Sequence, residues 1–503
     1  MQPVNRQWPQ YIGALFVIVL LAGVASASAA LLQLEGVSDT IEEFGTALDT
    51  KAKGALDDVP PGKPQTLLLI GSDKRSKKAV DGYREGALSD TLMLVRLDPE
   101  QGATAVLSIP RDTKAEIPTK GGGFRTAKIN EAFSDGGPNF SIRSVRKLLD
   151  VPIHHVVIIN FGAFQRAVNR LGCLYQDIDR TYFNDNSQGG DRYAKIDVKS
   201  GYQLLCGEDS LDWVRYRHLD SDFVRGARQQ EFLRSAKSQI AASQIVNDRK
   251  TLIRIFATYS QTDITSSTAI LSLLKLALNS AEQPVRNIKF RGDTSLDPSN
   301  TFVTISDKNL ATMRREFTQL RAARGPSADS TEVEKVRKKA TKKAVKKKGL
   351  AKGLIKVPDE MNKPELTKAS FDLAGGKLPV YYPSVRLAQG GYTSTDGVRD
   401  YDIVSRTKKR YPAYRVSLYY GENGQYYGVQ GTTWRNPPIL SEQHRTTTKN
   451  GRKLLLYGAP GGRYRLIAWK TPKGVYWVSN TISNRLTNAQ MLDIASNLRR
   501  VPG

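Results

Sequence analysis

The stretch RYRHLDSDFVRGARQQ (215–230) has an unusual density of opposite charges. It holds five basic residues counting His218, two acids and two glutamines in sixteen positions. Side chains two residues apart point to the same side of an extended chain, so Arg215 and Arg217 share a side if the preceding helix, predicted over 208–214, ends there. Asp220 and Asp222 can share a side in the same way.

The second half of this stretch shows helical spacing. Beyond Phe223, the residues Arg225, Arg228 and Gln229 fall at positions i, i+3 and i+4, on one face of a helix. Four guanidinium groups and an amide are therefore expected to converge on one site. A surface network of salt bridges is the alternative, although it does not explain why so many bases should converge.

A second group of charged residues lies at the ends of apolar strands. Asp73 and Arg75 follow TLLLI (66–70), Asp90 opens the strand around TLMLVRL (91–97), and Arg111 and Asp112 end TAVLSI (104–109). Ligands of α/β folds bind at strand ends, so these residues predict one pocket of mixed charge. A structural salt bridge or strand cap is the alternative for each position taken alone.

Carboxylates without a neighbouring His or Cys suit a hard cation such as Mg²⁺, or Mn²⁺ in its place. Arginines beside such a metal suit pyrophosphate, whose oxygens accept bidentate guanidinium bonds. Asp73 and Asp90 are the candidate metal ligands. The four histidines, at 154, 155, 218 and 444, show no ligand spacing.

The elements that must position these residues alternate between strands and helices. Near-continuous apolar runs predict strands buried on both faces. Further elements are predicted as helix 141–150, strand 153–160, helix 161–171, and helices at 226–245, 251–260, 268–281 and 306–323. The pattern predicts an α/β fold, a central mixed sheet between helices in an α-β-α sandwich.

The last part of the chain has a different pattern. Short strands rich in Tyr and Val are predicted at 378–383, 414–421, 425–431, 464–470 and 475–480, followed by a helix with capping-box spacing at Thr487 and Gln490. A small α+β domain of antiparallel strands and a terminal helix is expected, without a catalytic cluster.

The segments before and after the first domain have distinctive compositions. Residues 11–32 are apolar or small throughout and long enough to span a bilayer, with acids dominating after them, which predicts a cytoplasmic N-terminus and exported domains. A cleaved signal peptide is the alternative. From Lys335 to Lys356, eleven Lys or Arg occur without an acid, which indicates either a plain linker or adhesion to anionic wall polymer or lipid headgroups.

The predicted organisation is a tail and transmembrane anchor (1–34), a stalk (35–63), an α/β domain (64–325), a Lys-rich linker (326–368) and a C-terminal domain (369–503). The net charge of +26 favours a polyanionic partner, and export argues against nucleic acid. In an oxidising compartment, Cys173 and Cys206 are expected to pair; two buried free thiols are the alternative.

Four motifs in this order after one N-terminal span, SDTLMLVRLDP, LSIPRDT, AKINEAF and RYRHLDSDFVRGARQQ, resemble the LytR-CpsA-Psr family. The resemblance covers residues 64–245 and extends weakly to about 325. It implies a membrane-anchored phosphotransferase that moves a glycopolymer from a polyprenyl pyrophosphate carrier to peptidoglycan, with Mg²⁺ and an apolar tunnel for the polyprenyl chain. A pyrophosphatase side activity is a further option.

The resemblance, together with the chemistry of phosphoryl transfer, predicts roles for individual residues. Arg111, Asp222 and Arg225 are the expected catalytic residues, and Asp222 or Asp90 would accept the acceptor's proton. The expected pyrophosphate contacts are Arg75, Arg111, Lys128, Arg215, Arg217, Arg225, Arg228 and Gln229, with Asp112 and Asp220 in support. Family members often have Arg where this chain has Leu88, two residues before the SDT aspartate, and Arg84 or Arg75 would have to substitute.

Two other functions fit some of these features. A protein that binds polyprenyl phosphate or wall polymer without turnover would need the same cations, and Leu88 favours it slightly. A membrane-bound transcription attenuator would need a domain in the cytoplasm, and the sequence shows no helix-turn-helix pattern.

Overall fold

A computed structural model describes most of the two predicted domains. The described residues are 46–72, 89–101, 103–187, 195–216, 220, 222–240, 260–264, 286–294, 302–320, 349–357, 363–373, 378–421, 424–442, 444–459 and 462–502, with isolated positions between 244 and 258 and at 273. Of the predicted helix 251–260, residues 251, 252, 254, 255 and 258 are described and helical, whereas residue 260 begins a strand. The predicted helix 268–281, apart from residue 273, and the predicted span at 11–32 lie outside this range. No helix within the described residues is long and apolar enough to cross a membrane.

The N-terminal module contains a seven-stranded central sheet and several two-stranded ribbons. Its strands are β1 (Thr46–Ala47), β2 (Gln65–Ser72), β3 (Ser89–Asp98), β4 (Ala103–Ile109), β5 (Lys114–Pro118), β6 (Phe124–Lys128), β7 (His155–Asn160), β8 (Leu174–Ile178), β9 (Tyr182–Asn184), β10 (Ile196–Val198), β11 (Gly201–Leu205), β12 (Ser260–Thr262), β13 (Arg286–Ile288), β14 (Asp293–Thr294) and β15 (Val303–Thr304).

The central sheet has the order β1-β12-β7-β2-β3-β4-β13 and mixes parallel with antiparallel pairs. Helices of this module are α1 (Thr50–Lys53), α2 (Glu131–Leu149), α3 (Phe161–Arg170), α4 (Gly207–Arg215), α5 (Asp222–Gln239) and α6 (Asp307–Thr318). The strand predictions at 66–70, 91–97 and 104–109 are confirmed. Helix α2 is longer than predicted and kinks at Gly136 and Gly137.

Both faces of the central sheet are buried, as the apolar runs predict. On one face, Leu67 and Leu69 pack with Phe164, Trp213 and Phe232 from α3, α4 and α5. The other face of β2 packs against a second core that includes α2 and α6. Alternate residues of β2 therefore pack into two different hydrophobic cores, one on each face of the sheet. The predicted α-β-α sandwich is confirmed.

The prediction of a stalk over 35–63 is wrong for its described part. Leu48, Ala52 and Ala55 are buried in the core shared with α2, and β1 joins the edge of the central sheet beside β12. These apolar side chains gain by burial, so residues 46–63 belong to the α/β domain. The disulfide between Cys173 and Cys206 is confirmed; it joins the turn after α3 to the start of α4.

The C-terminal module is larger than the predicted small sheet. Its strands are β16 (Leu354–Lys356), β17 (Tyr381–Pro383), β18 (Val385–Leu387), β19 (Gly391–Tyr392), β20 (Val398–Val404), β21 (Arg410–Tyr419), β22 (Tyr426–Thr432), β23 (Arg445–Lys449), β24 (Arg452–Gly458), β25 (Tyr464–Lys470), β26 (Val475–Ser479) and β27 (Leu498–Arg500). Its helices are α7 (Pro364–Leu373) and α8 (Asn488–Ser496), with a 3₁₀ turn at Pro438–Leu440.

An eight-stranded antiparallel sheet with the order β19-β21-β22-β26-β25-β24-β23, and β20 paired to β21, forms the centre of this module. The capping box at Thr487 and Gln490 is present as predicted. The predicted boundary at residue 369 is too late, because β16 pairs with β18 and α7 packs into the same core. Part of the predicted linker therefore belongs to the folded module.

The two modules share a buried polar contact centred on Asp177 of β8. Its carboxylate accepts hydrogen bonds from Arg415 (3.0 Å), Trp477 Nε1 (3.1 Å) and Ser479 Oγ (2.5 Å), all from the C-terminal sheet. The Arg415 side chain is fully buried. A buried guanidinium needs a charged partner, so this contact fixes the relative position of β8 and β21.

An apolar cluster surrounds the Asp177 contact. Tyr175 and Tyr202 from the N-terminal module pack with Ile403, Trp477 and Ile439 from the C-terminal module. The interface also contains polar contacts, such as the bond from Ser417 Oγ to the Asp179 carbonyl (2.8 Å). The two modules therefore pack as one body through β8 and β11.

Replacing Asp177 by Ala should strongly destabilise the protein, because the Arg415 charge stays buried without its partner. Loss of one member of such a pair costs about 3–5 kcal/mol. The measurement is the free energy of unfolding in a denaturant titration. As a control, Asp197→Ala removes a 55% exposed carboxylate that pairs with Lys199, and should cost less than about 1 kcal/mol. Equal losses in the two variants would contradict a stabilising role for the Asp177 contact.

Candidate functional site

The described part of the candidate site lies at the end of the central sheet where β2 and β4 end and β3 begins. Ser72 of β2 pairs with Ser89 of β3, and Gly71 pairs with Thr91. The pairing skips Asp90, which therefore sits in a bulge, a feature common beside active sites. Asp73 and Arg75 follow β2 but lie outside the described residues, so the structure gives only the sheet edge from which they continue.

A second part of the site is the loop after β4. Arg111 Nε lies 3.5 Å from the Asp112 carboxylate, whose other oxygen lies 3.0 Å from Lys128 Nζ at the end of β6. The main chain fixes this loop, because Asn130 N–H donates to the Arg111 carbonyl (3.2 Å). Asp112 therefore holds two cations side by side.

We call the stretch 215–230 the clamp segment. Its first half is the third part of the site. Helix α4 ends at Arg215, one residue later than predicted, and Tyr216 is extended (φ −54°, ψ 135°). Arg215 is buried and pairs with Asp212, one turn earlier in α4. Arg217 lies outside the described residues.

Asp212 is a carboxyl group with an unusual environment. Burial raises its pKa to about 6, although the neighbouring Arg215 guanidinium acts in the opposite direction. With a pKa of about 6, the Asp212 carboxyl is charged at neutral pH, but a modest drop in pH protonates it.

Helix α5 carries the second half of the clamp segment and begins at Asp222. Arg225 and Gln229 are buried at 4% and 6% exposure. A Cβ added at Gly226 would lie 3.7 Å from Ser108 Cβ in β4. The first turns of α5 therefore lie against the end of β4, which brings the main chain at Arg225 close to the loop that carries Arg111.

Arg228 does not face an open site. Its side chain is fully buried; Nε donates to the Trp213 carbonyl (3.0 Å), and the terminal nitrogens bind the Tyr216 carbonyl and Asp220. Burial lowers the pKa of Arg228, but the Asp220 carboxylate more than offsets this and holds the pKa above its ordinary value. The prediction that Arg228 contacts pyrophosphate is therefore wrong for this conformation, and the residue ties the end of α4 to α5.

Asp220 is the centre of this arrangement. Its fully buried carboxylate pairs with Arg228 and, at 2.9 Å, with Arg180 from the turn before β9. The Arg180 guanidinium lies 4.4 Å from the ring centre of Tyr182 and 4.9 Å from that of Tyr426 in the C-terminal module. Sequence reasoning missed Arg180 and Tyr426, because a single Arg between short strands gives no periodic signal.

The site as a whole combines acids at the ends of β2 and β3 with cations from β4, β6, α4 and α5. Asp90 follows Ser89, the cross-strand partner of Ser72 at the end of β2, and Asp73 lies outside the described residues. The side chains of Asp90 and Asp222 are not described. Among the described side chains there is no group of three or more His, Cys, Asp or Glu that could hold a metal.

Comparison with known proteins adds an independent finding. A family model described as LytR_cpsA_psr matches residues 33–319. An uncharacterized protein of Staphylococcus aureus is 33% identical over 238 residues, which is 46% of this chain and 56% of that protein. TagT of Bacillus subtilis, a polyisoprenyl-teichoic acid–peptidoglycan teichoic acid transferase, is 30% identical over 231 residues, 45% of this chain and 69% of that protein.

One similar solved structure is that of B. subtilis TagV, with 25% identity, coverage of 52% of this chain and 98% of that chain, and a TM-score of 0.42. The TagV sequence of Bacillus subtilis is 28% identical over 257 residues, 50% of this chain and 63% of that protein. The matches thus span a little over half of the Staphylococcus protein and less than two thirds of TagV.

Replacing Asp212 by Asn should remove a pH dependence of stability. The folded pKa of about 6 exceeds the ordinary value of 3.8, so the folded protein binds this proton more tightly than the unfolded chain. Stability from this proton is lost as the pH rises from about 4 to about 6. Relative to wild type, the variant's free energy of unfolding should increase by on the order of 1 kcal/mol between pH 5 and pH 7.5. A constant difference, like that expected for Asp197→Asn, would contradict the raised pKa.

Proposed function

Because this chain belongs to the LytR-CpsA-Psr family, we propose that it is a phosphotransferase that moves a glycopolymer from a polyprenyl pyrophosphate carrier to peptidoglycan. The observation that carries this proposal is the meeting of the β4 loop with the first turns of α5. Gly226 of α5 approaches Ser108 of β4, and Asp112 in the loop after β4 pairs with Arg111 and Lys128. This supports a shared site for these two cations and for Arg215, Arg225 and Gln229. Arginine side chains suit a pyrophosphate group, since they bind its oxygens in pairs.

The reaction transfers the glycan with its own phosphate. The oxygen of an acceptor hydroxyl forms a bond to the phosphorus nearer the glycan, and the bond from that phosphorus to the bridging oxygen breaks. Polyprenyl phosphate leaves, and the acceptor proton passes to a carboxylate, for which Asp222 and Asp90 are the candidates. Such a reaction needs charge neutralisation and positioning more than a protein nucleophile.

Arg111, Arg225 and Arg215 would neutralise the charge that develops on the two phosphates. Arg111 keeps its position through Asp112, which also holds Lys128. Protonation of Asp212 would weaken its pairing with Arg215 and leave the guanidinium for the substrate. The negative charge of a bound substrate would in turn favour protonation of Asp212. Arg217 and Arg75 are further proposed contacts from the parts of the chain outside the described residues.

Asp73 and Asp90 would hold Mg²⁺, or Mn²⁺ in its place, next to the bulge between β2 and β3. The cation would neutralise phosphate charge and polarise the phosphoryl group. The register of Ser72 and Ser89 supports this assignment. Leu88 precedes this pair where relatives often have Arg, so the other arginines must supply the missing charge.

The direction of β1 supports a substrate held in a membrane. β1 runs parallel to β12, which runs antiparallel to β7, and β7 is parallel to β2. β1 therefore begins at the end of the sheet that carries the candidate site. We propose that residues 11–32 anchor the protein; only thirteen residues lie between Leu32 and Thr46, a reach of at most about 50 Å. The site edge would then face the membrane and its lipid-linked substrate, outside the cell.

Replacing Arg225 by Lys should lower transfer strongly, because Lys keeps the charge but cannot bind two phosphate oxygens at once. Loss of one such contact in the transition state lowers kcat by about 10²–10³. The measurement is release of polyprenyl phosphate from a lipid-linked glycopolymer with peptidoglycan as acceptor. Arg410→Lys, at a side chain 74% exposed, is the matched control. Release by the Arg225 variant at the wild-type rate would contradict the assignment, and no release by folded wild type would favour a non-catalytic binding protein.

Removal of divalent cations should abolish transfer without unfolding the protein. In the presence of a chelator we expect polyprenyl phosphate release to stop and to return on addition of Mg²⁺ or Mn²⁺, because the two aspartates alone repel the pyrophosphate. Asp90→Asn should need a higher metal concentration for half-maximal release, whereas Asp135→Asn, which removes an exposed partner of Arg125, should not. Full activity in the chelator would refute a catalytic metal.

A further inference from the structure

A cleft of about 480 Å³ lies at the end of the central sheet where β2 and β7 begin, opposite the end that carries the candidate site. It is lined by the C-terminal half of α2, by Asp150 to Pro152 before β7, by Asp57 and by Phe124 at the start of β6. Helix α2 connects the two places. Asn130 at its start donates its N–H to the Arg111 carbonyl, and the part of α2 after the kink at Gly136 and Gly137 lines the cleft.

Phe124 is the aromatic wall of this cleft and is 40% exposed. Lys147 Nζ lies 4.0 Å from the centre of its ring, and the Arg143 guanidinium lies 5.6 Å from it. Both cations are exposed and come from one face of α2, four residues apart. The cleft therefore presents two positive charges on an apolar ring.

The acids of the cleft do not neutralise these two cations. Asp57 pairs with Arg146 (2.8 Å), and Asp150 pairs with Arg314 (2.8 Å). Within the described part of the chain, Arg143 and Lys147 make no ion pair. Like charges four residues apart on a helix repel each other, so an anion bound between them would be stabilised.

We propose that this cleft binds a phosphodiester-linked glycopolymer, with a phosphate between Arg143 and Lys147 and a sugar or polyol unit against Phe124. Such a chain alternates anionic groups with less polar units, which matches the two cations and the ring. The cleft has the volume of an ordinary ligand site. No residue of the candidate active site lines it.

The direction of the chain favours polymer over lipid as the occupant. Thr46 is reached from the sheet edge of the active site, so in the anchored protein the cleft faces away from the membrane. Phospholipid headgroups of that membrane are then out of reach, whereas wall polymer is accessible. This inference rests on the proposed function for its choice of ligand, but the contacts at Phe124 are independent of transfer.

The test measures binding of soluble poly(glycerol phosphate) to the whole extracytoplasmic chain, residues 33–503, by isothermal titration. The double variant Arg143→Gln/Lys147→Gln should bind the polymer at least about tenfold more weakly than wild type, because two charged contacts are lost. Phe124→Ala should also weaken binding. Lys408→Gln/Lys453→Gln removes two exposed charges elsewhere and should leave the affinity unchanged.

Two further measurements identify the source of the bound chain. If the cleft holds the polymer that is being transferred, the double variant raises KM for a long lipid-linked donor but not for a donor with one repeat unit. If it holds polymer already in the wall, both KM values stay unchanged while the affinity for soluble polymer falls. Either result supports a glycopolymer site.

Three results separate this inference from other outcomes. Equal polymer affinity of wild type and double variant overturns it. Loss of binding to vesicles of phosphatidylglycerol, with polymer affinity unchanged, assigns the cleft to lipid and also overturns it. If polymer binding depends on the cleft but the protein releases no polyprenyl phosphate, the proposed transferase activity is rejected and the glycopolymer site in the cleft is supported.

Discussion

The buried carboxylate of Asp220 fixes the geometry on which the candidate site depends. It pairs with Arg228 from α5 and Arg180 from the turn before β9, and all three side chains are almost or fully buried. Arg228 in turn holds the carbonyls of Trp213 and Tyr216 at the end of α4. The chain between α4 and α5 is therefore tied at both ends, and Arg215 and Arg225 extend from a rigid base. Buried charges of this kind cost desolvation energy, which only close pairing offsets.

The C-terminal module takes part in this arrangement. Tyr426 stacks on the Arg180 guanidinium, and a Cβ at Gly424 would lie 2.7 Å from the Asp220 carboxylate. Gly424 has a φ of +74°, so a glycine is required there for both backbone and space. Together with the Asp177 contact, this packing makes the module a support for the clamp segment. Its sheet needs no catalytic residues of its own for that role.

The sequence was sufficient to predict the central sheet, because β2, β3 and β4 are continuous apolar runs whose burial on two faces leaves a clear pattern. The capping box of α8 and the disulfide were predictable for similar local reasons. The stalk was not, since Leu48, Ala52 and Ala55 are too widely spaced to show which surface would cover them. Arg228 was misassigned because helical spacing shows that it shares a face with Arg225, but not that carbonyls from α4 cover one side of that face.

The charge density of residues 215–230 now divides into two groups with different physical roles. Asp220 and Arg228 are inside the protein and neutralise each other, so they explain why acids and bases alternate in this stretch. Arg215 and Arg225 lie at the boundary between this base and the sheet edge. A cation at such a boundary is only partly hydrated, and its attraction for a pyrophosphate is therefore stronger than that of a surface lysine. The structural pairs thus hold Arg215 and Arg225 largely buried, where the proposed attraction for a pyrophosphate would be stronger than at the surface.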